Sequence, residues 1–198
     1  MAITLVKGQK IDLTKNNSGL KKVLVGLGWN PIKQEKKGFL GLGSSQVDMD
    51  IDASVIMLRN DKLVGKDSII YFGNLRSRCG GVTHMGDNLT GGGDGDDEQI
   101  LIDLAKIPQD VNKLIFVTNI YDCIKRKQHF GMVKNAFIRI ADSNNNQNIA
   151  MFNLTEDYTD KTALVVGSVY RYNGEWKFAA LGEGTQDASL SEMASKYL

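Results

Sequence analysis

Residues 163–181 read ALVVGSVYRYNGEWKFAAL. Two runs rich in Val, Leu, Phe and Tyr flank the dipeptide Asn173-Gly174. Both residues of that pair tolerate the positive φ of a type I′ turn, so the stretch predicts a β-hairpin. Working outward, the same kind of run recurs along the chain: Ile3–Val6, Val23–Trp29, Ser54–Leu58, Ser68–Phe72, Lys113–Tyr121, Ala136–Ala141 and Ile149–Leu154. Turn residues bound most of them, with Asn60-Asp61 and Asn144-Asn145-Asn146 as weaker turn markers. Ile100, Ile102 and Leu104 alternate with Leu101 and Asp103, which favours one more strand. A short helical turn is expected within Lys125–Val133, although Gly131 weakens it. Ser189 and Glu192 form a capping box, and Leu190, Met193, Ala194 and Tyr197 share one face of a C-terminal amphipathic helix. The expected class is mostly β: an antiparallel β-sandwich of two sheets with few short helices. Lys33–Ser45, charged and then glycine-rich, reads as an exposed loop.

Length and composition narrow the function classes. A chain of 198 residues is expected to form one domain over 1–198. Lys and Arg total 24 against 23 Asp and Glu, a net charge of +1. That balance excludes the strongly basic footprint of a nucleic-acid binder. Met1 to Lys10 lacks the apolar core of a signal peptide, and no apolar run approaches the ~18 residues of a membrane span. Cys79 and Cys123 lack a CxxC spacing, so reduced thiols and a cytoplasmic location are expected.

Two acidic segments stand out. In Asp48-Met49-Asp50-Ile51-Asp52, an extended chain places the three carboxylates on one face, neighbours about 6.6–7 Å apart. Like charges at that spacing repel by roughly 0.6 kcal/mol in water and about 2.5 kcal/mol at an effective dielectric of 20. Strands also disfavour Asp, and the apolar run after Asp52 reads as buried on both faces. A bound cation relieves such a ladder; a solvated strand end is the plainer alternative. The second segment is GDNLTGGGDGDDE, residues 86–98. Asp87, Asp94, Asp96, Asp97 and Glu98, with the Asn88 amide, fall within twelve positions that also hold four glycines. Dense hard oxygen donors on a tightly foldable backbone suit calcium, which takes six to eight oxygens. Magnesium usually keeps several waters, and zinc prefers the His and Cys ligands this loop lacks. Asp87 to Glu98 has the length of an EF-hand loop, but Leu89 and Gly91 occupy positions that need oxygen side chains. A phosphate-cradling loop would need a Lys, which is absent. The two segments are therefore expected to meet at one end of the sandwich around one or two calcium ions. About eight carboxylates over-neutralise a single dication, which favours two.

GDNLTGGGDGDDE, DMDIDAS (residues 48–54) and the LGW ending at Trp29 together resemble the TerD family of tellurium-resistance and stress proteins. Further matching pieces are IIYFGNL at 69–75, Tyr121-Asp122, Gln128 with Phe130-Gly131, NAFIR at 135–139, Tyr170-Arg171 and GEWKF at 174–178. The resemblance implies a calcium-binding β-sandwich. It also implies a cytoplasmic protein working with other tellurite-resistance proteins, including a TerC-type membrane partner. It places the metal loop on Asp87, Asn88, Asp94, Asp96, Asp97 and Glu98, with backbone carbonyls around Leu89 and Gly93. It places the strand ligands on Asp50 and Asp52, and on Asp48. Asn30 stands where the family usually carries Asp, so a neutral amide replaces a charge there, and Gly92 stands where an acid is common.

The reading is a non-enzymatic, calcium-ordered interaction module for the stress response. Two alternatives remain: a two-cation phosphohydrolase that would need an acid or base such as His84, and a calcium-dependent membrane binder using Phe39, Leu40 or Leu42 as apolar tips.

Overall fold

The computed structural model describes residues 2–15, 17, 19–31, 35–37, 44–46, 49–86 and 95–198. In chain order the strands are β1 (Ile3–Leu5), β2 (Lys10–Asp12), β3 (Lys22–Pro31), β4 (Glu35–Lys37), β5 (Ser44–Gln46), β6 (Ile51–Arg59), β7 (Lys62–Leu63), β8 (Ile69–Ile70), β9 (Val82–His84), β10 (Glu98–Asp103), β11 (Lys113–Ile120), β12 (Val133–Asp142), β13 (Gln147–Asn153), β14 (Ala163–Tyr172) and β15 (Glu175–Thr185). Two short α-helices are described, α1 (Cys123–Arg126) and α2 (Leu190–Ser195).

Two sheets face each other. Sheet A has the order β1-β13-β12-β3-β10-β9, and sheet B the order β2-β15-β14-β11-β6-β7, with β8 also on β6. All pairings are antiparallel except β1 with β13, which is parallel and makes sheet A mixed. Each sheet ends in short strands: three residues in β1, β9 and β2, two in β7.

The hairpin over 163–181 forms as its sequence requires, with Asn173 at φ 51° and Gly174 at φ 82°. Asn60 (φ 51°) and Asp61 (φ 63°) turn β6 into β7 in the same way. Alternate residues of the long strands meet in the sandwich core, among them Leu27 of β3, Val55 of β6, Ile100 of β10, Phe116 of β11 and Phe178 of β15. Burying side chains of this size stabilises by roughly 1.5–3 kcal/mol each. The other face of sheet B carries a second cluster: Ile56, Leu58, Ile115 and Val117 pack under Met193 and Ala194 of α2. Strand β6 is consequently buried on both faces. The capping-box residues act as expected in kind. Ser189 Oγ accepts from Glu192 N–H, and Glu192 Oε2 accepts from Ala188 N–H, one residue before the cap.

Several local expectations need correction. Residues 33–45 contain part of the paired strands β4 and β5, not only loop. Their segments show no apolar alternation, so no period-two signal announced them. Within 68–72 only Ile69–Ile70 is strand, following a 3-10 turn at Lys66–Ser68. The helical turn begins at Cys123 and stops where Lys127 turns left-handed; a separate 3-10 turn spans Phe130–Met132.

Candidate metal centre

Three consecutive residues at the end of the glycine-rich loop are fastened to three different places. Asp96 lies on the outer face of sheet A. Arg139 of β12 grips it with two hydrogen bonds, Nε to Oδ1 and Nη2 to Oδ2, each 2.6 Å. Gln99 Nε2 donates to the same carboxylate at 2.9 Å. Gly26 of β3 sits in register between Gln99 and Arg139. A Cβ at that position would stand 2.2 Å from Asp96 Oδ1, so only glycine leaves room for the carboxylate. The other end of the guanidinium is held by the side-chain oxygens of Asn146 and Asn148.

Asp97 turns to the strand end. Its backbone N–H donates to Leu27 O at 2.8 Å, and its Oδ2 accepts from Trp29 N–H at 2.7 Å. Glu98 points into the sandwich, in line with Ile100 and Ile102. Its Oε2 accepts from Ala53 N–H of β6 at 2.6 Å. His84 of β9 completes the crossing: its Nε2 lies 3.1 Å from Ala53 O and 3.3 Å from Glu98 Oε2, and its Nδ1 accepts from Gly86 N–H. That acceptor role leaves the proton on Nε2, facing Ala53 O. The physical reason for the arrangement is that β8 pairs with β6 only at Val55 and Ile56. Beyond them, side chains from sheet A supply the partners that Ala53's buried backbone groups require.

The structure thus brings Glu98 onto the backbone of the DMDIDAS segment. Asp50 is partly buried just before β6, and its carbonyl accepts from Tyr121 N–H. Asp52 is 6% exposed and shares the outer face of sheet B with Ser54, Ile56 and Leu58, opposite to the face that Glu98 reaches. Asn30 is exposed near the end of β3 and lines a cavity of about 640 Å³ with Trp29, Gly95 and Lys134. Asp48, Asp87, Asn88, Leu89, Gly93 and Asp94 lie outside the described residues, as do Phe39, Leu40 and Leu42. Among the described residues, no three His, Cys, Asp or Glu side chains are grouped to hold a metal ion. The described carboxylates of Asp50, Asp97 and Glu98 are hard oxygen donors, the type that calcium takes.

A family model for the TerD domain matches residues 1–197. The chain belongs to the TerD family. The stress response protein SCP2 of Bacillus subtilis is 54% identical over 200 residues, covering 100% of both chains. The tellurium resistance protein TerD of Serratia marcescens is 44% identical over 198 residues, covering 100% of this chain and 97% of that one. The fold also matches the crystal structure of a telluride-resistance (TerD) homologue from Streptomyces coelicolor A3(2). There the TM-score is 0.67 at 21% identity, over 89% of this chain and 96% of that one. Arg139 falls in the NAFIR piece of the TerD resemblance, yet reading the sequence assigned it no role. The available signal was a lone arginine in an otherwise apolar strand, AFIRI. Among the described residues, no helix is long and apolar enough to cross a membrane.

Proposed function

We propose that this TerD-family chain is a calcium-binding module of the stress and tellurite response. The observation that carries the reading is the hydrogen bond from Ala53 N–H to Glu98 Oε2. It ties the end of the acidic glycine loop to the DMDIDAS segment. The chain's own residues set the frame. Arg139 fixes Asp96, Trp29 N–H fixes Asp97, and Ala53 N–H fixes Glu98. At the loop's start, Gly86 N–H is held by His84 and Met85 N–H by Gln99 O. Both ends of 87–94 are therefore anchored at one corner, where Asp87, Asn88 and Asp94, with carbonyls around Leu89 and Gly93, are the proposed ligands. Asp48 and Asp50 join them from the other segment. Asp96 is charge-balanced by Arg139 and serves as frame, and Asp52 faces another cavity. Bound calcium would supply the positive charge that this concentration of carboxylates lacks.

The proposed role is non-enzymatic: a cation-ordered surface for cytoplasmic partners of the tellurite-resistance type, including a TerC-type membrane protein. His84 does not favour the phosphohydrolase reading, because it is buried and both ring nitrogens are engaged.

Titrating metal-free protein with calcium and following the melting temperature tests the first step. Stabilisation of about 2.7 kcal/mol is expected at 100 times Kd, with a smaller effect from magnesium. An unchanged melting temperature at millimolar calcium overturns the reading.

A further inference from the structure

A cavity of about 670 Å³ opens on the outer face of sheet B, far from the core, between α2 and the turn that follows β8. Its buried polar residues come from adjacent strands, and Ser189, Ser191 and Ser195 add hydroxyls from the α2 side. Asp52 and Ser54 are on β6, and Asn119 is the cross-strand partner of Asp52 on β11. All three are buried, at 6%, 1% and 7% exposure. Among the described residues, Ser54 Oγ and Asn119 Oδ1 have no hydrogen-bond partner. Leaving such groups unsatisfied costs about 1–3 kcal/mol each, and their strands' neighbouring positions on this face are plain apolar packing. Tyr71, Phe72 and Tyr121 line the cavity on one side, and Leu190, Ala194 and Leu198 on the other. Phe72 and Tyr121 are about half exposed, at 47% and 52%. The remaining charged lining residues are Lys66 and Asp122, the latter with Lys125 Nζ at 3.8 Å.

We propose that this cavity binds a small organic monocation: a primary ammonium on a short aliphatic stem, its charge directed to Asp52 and its stem against Tyr71, Phe72 and Tyr121. The volume is that of a small-molecule site. A carboxylate has about four lone-pair sites, so Asp52 serves an ammonium alongside any neighbour within the chain. Rotation about the Asn119 Cβ–Cγ bond turns its carbonyl oxygen toward the cavity as a second acceptor. Aromatic faces attract a cation through their quadrupole and cover its stem. An anion would meet the Asp52 and Asp122 carboxylates, against one lysine, Lys66, among the described lining residues. A calcium ion needs six to eight oxygens, and these walls are largely apolar. Lys66 also opposes a second positive charge on the ligand, which favours a monocation over a diamine.

The same ammonium chemistry exists free or as a lysine side chain of a protein. The test titrates the full chain, with chelator and with calcium, using n-butylammonium, n-butanol, butyrate and a capped Gly-Lys-Gly peptide. Amide NMR shifts report binding. Saturable binding of n-butylammonium is expected in both conditions, with n-butanol and butyrate at least about tenfold weaker. Phe72→Ala, at an exposed position that does not threaten folding, is expected to weaken binding about tenfold, as is Asn119→Leu. Binding of the peptide but not of n-butylammonium supports the same chemistry and assigns its source to a protein side chain. The proposal is overturned if neither ammonium probe saturates, if n-butanol binds equally well, or if Phe72→Ala leaves the affinity unchanged. A normal calcium-induced rise in melting temperature alongside any of those results leaves the metal reading standing while this one falls.

Discussion

Arg139 and Asp96 form a two-point ion pair laid flat over Gly26, with side chains 12% and 1% exposed. The pair joins the end of the acidic loop to the middle of sheet A. Removing one partner of a buried pair strands the other charge. Asp96→Ala is therefore expected to cost about 3 kcal/mol of folding stability. Gly26→Ala drives a methyl into the carboxylate and is expected to cost about 1–3 kcal/mol with both partners still present. Urea unfolding checks both, and a calcium titration of Gly26→Ala is expected to show weaker binding because the loop's anchor is displaced.

Glu98 separates a structural from an electrostatic contribution. Glu98→Ala leaves the buried Ala53 N–H without its acceptor and is expected to destabilise by about 1–3 kcal/mol even in chelator. Glu98→Gln keeps an acceptor oxygen but removes the charge. Its melting temperature in chelator is expected to stay close to that of the unaltered protein, while its response to calcium shrinks. An equal response in Glu98→Gln and the unaltered protein would remove the Glu98 charge from the metal reading.

Acid is expected to loosen the C-terminal helix first. Burial alone would raise the Asp187 carboxyl, but hydrogen bonds from Lys196 and Thr185 hold it below its ordinary 3.8. A carboxyl lowered in the folded state contributes stability that is full above the unfolded value and is lost as pH falls through the folded one. Amide protection in α2, corrected for the intrinsic exchange rate at each pH, is therefore expected to fall as pH drops below 3.8. Asp187→Asn is expected to show the faster exchange at neutral pH and to lose the pH dependence.

Met193 is 1% exposed in the cluster on the outer face of sheet B. Met193→Ala is expected to cost about 2 kcal/mol, the low end for such truncations, because a terminal helix can settle onto the gap. Limited proteolysis is expected to cleave after residue 185 sooner in this variant, with the sandwich itself intact.

The architecture was legible wherever one physical signal dominated. The Asn173-Gly174 turn, the strands around it and the Ser189 cap all follow from local chemistry that tertiary contacts reinforce. Strands β2 and β9 escaped because Lys10-Ile11-Asp12 and Val82-Thr83-His84 each hold a single apolar residue, too little for a run. The acidic ladder at 48–52 gave the direction of the chemistry but not its faces. Asp52 and Glu98 lie on opposite sides of β6, and only the pairing of two distant strands decides that. His84 stood out in the sequence only as an acid or base for the phosphohydrolase alternative, and its role as a backbone partner for Ala53 depends on where β8 stops. Ser54 and Asn119 carried no signal at all, since a buried polar side chain without a partner is invisible until its neighbours are placed.

The short terminal strands have a bearing on how the chain behaves in quantity. A long bare margin would offer the next molecule a row of unpaired amides to copy, and growth from it would be open-ended. Here β1, β9, β2 and β7 present at most three residues each, too little to template a neighbour. Margins this short disfavour side-by-side growth when the molecule accumulates.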